Sequence, residues 1–207
     1  MKRPNYMEQI KERIDTAKPG AVFIPSDFFD IAEATYVNMC LMRLKQMGML
    51  DNVMRGVFGK RRYSELLKEN VAPHSDDIAR AIARNYGWTI VPCGDTALNM
   101  LGLSTQMPIV WSYVSDGPYK NYEAEGIKLR FKRTNKKNEI IEVSYKTALI
   151  IQALRALGND NVTDKVVAKL SNILTQDEKD KMLIESQRIT TWVYRHVKRI
   201  CAEDGNE

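Results

Sequence analysis

Six cations crowd one short stretch of the N-terminal third: Arg43, Lys45, Arg55, Lys60, Arg61 and Arg62. Between Thr35 and Arg62 they face a single acid, Asp51. The chemistry open to such a set is neutralisation of phosphates. Across all 207 residues there are 31 Lys and Arg against 26 Asp and Glu, a net charge of +5. This stretch alone carries that excess, and the remainder balances. A basic cluster on a near-neutral body is the footprint of a polyanionic partner, usually nucleic acid.

Other reactive types are sparse. Cys40, Cys93 and Cys201 lie far apart with no C-x-x-C spacing, and His74 and His196 are the only histidines. An odd, scattered set of cysteines argues against a disulfide framework or zinc site and fits a reducing cytoplasm. No metal or cofactor is expected. Cys93, His74 and Asp95 have the types of a nucleophile, a base and an orienter, but nothing in their spacing requires those roles. Glu142 and Lys146 lie four apart and do not match the short carboxylate-x-Lys pattern of nucleases. Catalysis is therefore not expected. The chain is 44% hydrophobic and 28% charged, enough to bury a core. No apolar run approaches the roughly 20 residues of a membrane span, and MKRPNYMEQIKER lacks a signal-peptide core. A cytoplasmic location is expected.

The elements that must position the cations follow from periodicity. Tyr6, Ile10, Ile14 and Ala17 mark a first helix, which Lys18-Pro19-Gly20 ends. Ala21 to Ile24 reads as a short strand. Pro25-Ser26-Asp27 opens a second helix with Ser26 as N-cap, its apolar side supplied by Phe28, Phe29 and Ile31. A third helix runs from about Ala34 to Met47. At about 100° per residue, Val37, Cys40, Leu41, Leu44 and Met47 share the core-facing sector. The opposite sector holds Thr35, Asn38, Met39, Met42 and Gln46, flanked by Arg43 and Lys45. Asn and Gln can pair bidentately with adenine, Arg with guanine, and methyl groups can touch thymine. Gly48 ends the helix as a residue tolerant of positive φ. Met49 to Met54, a turn at Arg55-Gly56, and Val57 to Lys60 then form a β-hairpin. This order is that of a winged helix-turn-helix. The third helix would enter the major groove, while Arg55, Lys60, Arg61 and Arg62 would hold phosphates and set register.

From Lys68 onward a second domain is expected, giving 1–67 as the DNA-binding domain and 68–207 as an α/β domain. Ser75 caps a helix that Gly87 ends, and Trp88 to Val91 is a short strand. In Pro92 to Pro108, Asp95 or Thr96 caps a brief helix stopped by Gly102. Further strands are predicted at Ile109 to Val114, Tyr119 to Glu123, Ile127 to Thr134 and Glu139 to Val143. Three helices finish the chain: Ser144 to Gly158, Val162 to Leu174, and one long helix to about Ala202 opened by the capping box Thr175/Glu178. The fold class is α+β, with a mainly antiparallel sheet and C-terminal helices in the second domain. Lys128, Arg130, Lys132, Arg133, Lys136 and Lys137 form either a second DNA-contacting surface or a solvated sheet face that lysines protect from aggregation. Arg188, Arg195, His196, Lys198 and Arg199 read as a solvated stripe on the last helix in preference to a phosphate contact.

The segment LMRLKQMGMLDNVMRGVFGK resembles the helix and wing of AbiEi-type antitoxins, with their R-L-x-x-x-G and R-G-V-[YF] pattern. Ala79 to Ala83, the run PCGDTALNMLGLSTQMP and Asp116-Gly117 resemble the same group, so the similarity spans about Ile10 to Gly158. Cys93 stands where the group's pattern favours Ser or Thr. The resemblance implies a type IV toxin–antitoxin antitoxin that represses its own operon through the winged helix. It counters a nucleotidyltransferase-like toxin encoded next door, often without a stable complex. By position in that pattern Thr35, Tyr36, Asn38, Met39, Arg43 and Arg55 are DNA-contacting residues. Two copies on an inverted repeat would supply the footprint. The rival readings are a protein-interaction module using the winged helix as scaffold and, remotely, a nuclease.

Overall fold

The computed structural model describes residues 5–66, 68–124 and 126–202. It is a mixed α+β fold in which antiparallel strand pairs predominate. The described residues group into two compact units: one runs to Gly87 and takes in 124–127, and the other holds 88–123 and continues from Lys128.

In the first unit, helix α1 (Tyr6–Thr16) buries Ile10 and Ile14, one turn apart on one face. Strand β1 (Val22–Phe23) follows. The expected second helix is only a 3-10 turn, Pro25–Phe28, and Ser26 is not its cap. Instead the Asp27 carboxylate accepts the Ile24 N–H at 2.9 Å. Phe28 is fully buried while Phe29 is half exposed, so two adjacent aromatics cannot both face the core from so short a turn. Helix α2 (Ala34–Gln46) buries Val37, Cys40, Leu41 and Leu44 as its phase requires. Met47 departs from that stripe: it is the C-cap residue and 63% exposed. Gly48, at φ 77°, closes the helix. Its N–H reaches the Lys45 carbonyl at 2.9 Å, and that of Met49 reaches Leu44 at 3.0 Å. This pairing satisfies carbonyls that the last turn leaves open and needs a left-handed residue at this position.

The chain then turns directly into a hairpin, β2 (Leu50–Met54) and β3 (Val57–Lys60), which pairs in the order β1-β3-β2 with antiparallel register from Leu50↔Lys60 to Met54↔Val57. The core beneath joins Ile10, Ile14, Phe28, Leu41, Leu44 and Phe58. An unforeseen two-stranded ribbon follows, β4 (Arg62–Ser64) with β5 (Glu69–Val71). Helix α3 (Ser75–Tyr86) is capped by His74, whose Nδ1 accepts the Asp76 N–H at 3.3 Å, and not by Ser75. Arg84 of α3 pairs with Asp27 at 3.1 Å and donates to the Val22 carbonyl at 3.3 Å. These ties hold α3 to the β1 region, and the division expected at 67/68 falls inside this unit.

The second unit is built on a four-stranded sheet. Its members are β6 (Ile90–Pro92), β7 (Trp111–Ser115), β8 (Lys120–Ala124) and β9 (Ile127–Arg133), in the order β6-β7-β9-β8. β6 and β7 are antiparallel, whereas β7 and β9 run parallel from Trp111↔Leu129 to Ser115↔Arg133. The short helix α4 (Asp95–Met100) precedes β7. The strand expected at Glu139 to Val143 is absent from the structure of that segment. A 3-10 turn, Lys137–Glu139, takes its place, because Glu139 turns inward to Arg155 and Ile140 enters the helical core. Helices α5 (Tyr145–Leu157), α6 (Asp164–Asn172), α7 (Gln176–Glu185) and α8 (Thr191–Ala202) complete it. The capping box of Thr175 and Glu178 opens α7. The single long helix expected there is broken at 186–190, and the break lets α7 and α8 pack on each other. That packing contributes Met182, Val193, Val197 and Ile200 to a core centred on α5. No helix among the described residues is long and apolar enough to cross a membrane.

Candidate nucleic-acid interface

Helix α2 presents its polar sector to solvent over its whole length. Thr35, Tyr36, Asn38, Met39, Met42, Arg43, Lys45 and Gln46 are all exposed. This follows from the core phase: once Val37, Cys40, Leu41 and Leu44 point inward, these positions cannot. The Asn38 Nδ2 donates to the Ala34 carbonyl at 2.8 Å, leaving its amide oxygen outward as an acceptor. Tyr36 meets Tyr6 edge to face at 5.6 Å, which braces the start of the helix against α1. Arg43 carries no ion pair or hydrogen bond to another described side chain and is free to engage a base or phosphate.

The hairpin cations divide into two kinds. Arg55 at the turn and Arg62 at the start of β4 are exposed. Lys60 is not: its ammonium donates to the carbonyls of Asp15 at 2.8 Å and Ala17 at 2.7 Å. It thereby holds the C-terminal end of α1, where a cation also complements the helix dipole. Its expected role as a phosphate clamp is corrected to a structural one. Arg61 closes on Asp51 across its own hairpin, Nη2 to Oδ1 at 2.9 Å. Both side chains are about half exposed, and solvent weakens such a pair, so Arg61 can be drawn off by a stronger anion.

Sequence reasoning missed a polar groove of about 470 Å³ beside the hairpin, whose walls include Lys45, Asn52, Arg61, Asn70 and Pro73. It forms because residue 59 is glycine. A Cβ there would lie 2.6 Å from the Pro73 Cγ, so any side chain would push the 70–73 segment off the hairpin. Asn52 and Asn70 carry no periodic signal. Only the pairing of β4 with β5 brings Asn70 to this edge. Lys45 sits on the same groove and links it to α2.

Residues 9–182 match the model of a family of unknown function, DUF6088. The chain belongs to this family. No curated protein matches it. Among solved structures it is similar to the crystal structure of RV2827C protein from Mycobacterium tuberculosis, at 12% identity and a TM-score of 0.41, over 96% of this chain and 76% of that one.

Elsewhere in this DUF6088 chain the cations of the second basic strip differ in burial and in partners. Lys128 pairs with Glu123 at 3.3 Å and Lys136 lies 3.9 Å from Glu139. Arg130 is half-buried, whereas Lys132, Arg133 and Lys137 are exposed. In the C-terminal stripe Arg188, Arg195 and Lys198 are exposed, but His196 is buried, which corrects its reading as a solvated residue. Burial, with Arg199 beside it, holds its imidazole below the usual histidine range. Among the described residues no cluster of three or more His, Cys, Asp or Glu side chains could hold a metal ion.

Burial pushes the thiols of Cys40, Cys93 and Cys201 up from their ordinary range. The thiol form is the unreactive one. At neutral pH the native protein is therefore expected to react slowly with a disulfide reagent such as Ellman's, half-buried Cys201 first, with full and rapid titration only after denaturation. Rapid labelling of native Cys93, read by peptide mapping, would contradict this and reopen a nucleophilic role. His74, the base imagined for it, caps α3 in the other unit.

Proposed function

We propose that this DUF6088 protein is a winged helix-turn-helix transcriptional autorepressor that binds duplex DNA through α2 and the hairpin. We further propose that it is the antitoxin of a type IV toxin–antitoxin system, countering a nucleotidyltransferase-like toxin. The observation that carries the DNA reading is the unobstructed polar face of α2. Asn38, Arg43 and Gln46 stand exposed there in helical register, with the Arg55 turn on the hairpin that follows. Donors and acceptors of this kind read base edges, and Arg55 and Arg62 supply backbone contacts. The protein acts in the cytoplasm, without catalysis, as two copies on an inverted repeat. The antitoxin part rests on the resemblance to the AbiEi group.

The test of the DNA reading is a gel shift of the full chain on the region upstream of its own gene. A specific band whose affinity falls steeply with salt is expected, because released counterions dominate phosphate binding. The antitoxin reading is tested by co-expression with the adjacent open reading frame: growth arrest by that frame and rescue by the full chain support it, and failure of the full chain to rescue refutes it.

A second reading has its own observation. Tyr36, Met39, Met42 and Met47 are 36%, 40%, 46% and 63% exposed. Exposed methionines are adaptable contact groups, and a protein partner could seat on them. Binding to such a partner would resist salt, whereas DNA binding would not.

A further inference from the structure

The run Pro92 to Pro108 is left unused by the proposed DNA interface, yet it lines a cleft of about 410 Å³ in the second unit. That volume lies within the range of small-molecule sites, about 300 to 1,000 Å³. The cleft's floor is set by strand alternation. Leu129 and Phe131 of β9 are buried on one face, so Arg130 and Lys132 share the other. Parallel pairing sets Arg130 opposite Ser112 and Lys132 opposite Val114.

The walls have three distinct chemistries. Arg130 and Lys132 bring two positive charges that no described acid neutralises. The Arg130 Nε is buried and has no hydrogen-bond partner. A buried charged donor left unpaired is costly, and the remaining N–H groups of half-buried Arg130, on the cleft wall, can take an acceptor from outside the chain. Asp95 and Ser104 add polar groups. The Asp95 carboxylate accepts hydroxyls and repels a second anion, which confines a phosphate to the Arg130 and Lys132 end. Met107 and Ile109, on the same cleft, are 67% and 86% exposed and offer an apolar surface to a flat ring.

We propose that this cleft binds a nucleoside phosphate, with the phosphate on Arg130 and Lys132, a ribose hydroxyl on Asp95 and the base against Met107 and Ile109. The site shares no residue with α2 or the hairpin, so its failure and that of the DNA reading are separable.

Calorimetric titration of the full chain with ribonucleoside 5′-monophosphates and diphosphates, free nucleosides and inorganic phosphate tests it. At least one nucleotide is expected to bind with Kd below ~1 mM, at least about tenfold tighter than its nucleoside or phosphate alone. Arg130→Gln and Lys132→Gln are each expected to weaken it by about 10- to 100-fold, the worth of a charged hydrogen bond. Lys137→Gln should leave it unchanged. Lys132 is exposed, so its variant stays informative if Arg130→Gln fails to fold. Absence of binding by every nucleotide overturns the proposal, as does binding undiminished in Lys132→Gln. Phosphate binding as tightly as the nucleotides overturns the nucleoside assignment. Tighter binding of a 5′-phosphorylated trinucleotide than of the mononucleotide overturns a free nucleotide in favour of a strand end.

Discussion

The Arg43→Ala/Arg55→Ala double variant is expected to lose about 30- to 20,000-fold in affinity for the DNA upstream of its gene while keeping its fold. Arg43 projects from the exposed face of α2, where a guanidinium can bridge the two acceptors of a guanine. Arg55 sits at the hairpin turn, where it can meet a phosphate. Each such contact is worth about 1–3 kcal/mol, and two contacts that act independently add. Fluorescence anisotropy across a salt series separates their roles. Loss of the phosphate contact from Arg55 lowers the slope of log affinity against log salt by about one. Loss of a base contact from Arg43 narrows the gap between specific and random DNA. Neither residue has a partner within the described fold, so circular dichroism and the melting temperature should match the parent. Affinity equal to the parent's would refute the interface. Lys60→Ala is a poor substitute for this experiment. Its ammonium ties down the end of α1, and any loss of binding would follow from loosening that helix.

Arg155→Ala is expected to destabilise the second unit by about 3–5 kcal/mol, the cost of leaving a buried charge unpaired. The Arg155 guanidinium grips Glu139 with Nε at 2.9 Å and Nη2 at 2.6 Å and also reaches the Thr190 hydroxyl at 2.8 Å. The Glu139 side chain is only 4% exposed, so water cannot replace the lost partner, and Lys136, at 3.9 Å, compensates only in part. One guanidinium thus joins α5 to the turn at 137–139 and to the break before α8. Urea unfolding followed by circular dichroism would give the loss. The paired variant Glu139→Leu/Arg155→Leu should recover much of it, since replacing both members removes the stranded charge. A midpoint for Arg155→Ala within error of the parent's would show that the pair contributes nothing.

What lay legible in the residues was local. The α+β class, the α2 phase, the stop at Gly48 and the turn at Arg55-Gly56 each depend on side chains within a turn or two of one another, and pattern captures such effects. The misreadings have a common form. Lys60 looked like a free clamp because the carbonyls it binds belong to residues more than forty positions earlier. His196 looked solvated because the partner its ring meets, Asn159, lies 37 positions earlier in the chain. The helix expected through 186–190 contains no Pro or Gly to announce its break. Packing of α7 on α8 decides it there.

By itself, then, the order of residues determined which groups lie on which face of each helix and strand, because backbone geometry converts spacing into direction. It thereby established the exposed polar sector of α2 and the paired cations of β9. Only the tertiary structure decided which of those cations stay available. An ammonium or guanidinium is long enough to satisfy whatever acceptor the fold brings within reach, and that acceptor is named by packing between distant segments. Lys60 and Arg155 found partners in that way, while Arg43 and Arg55 did not.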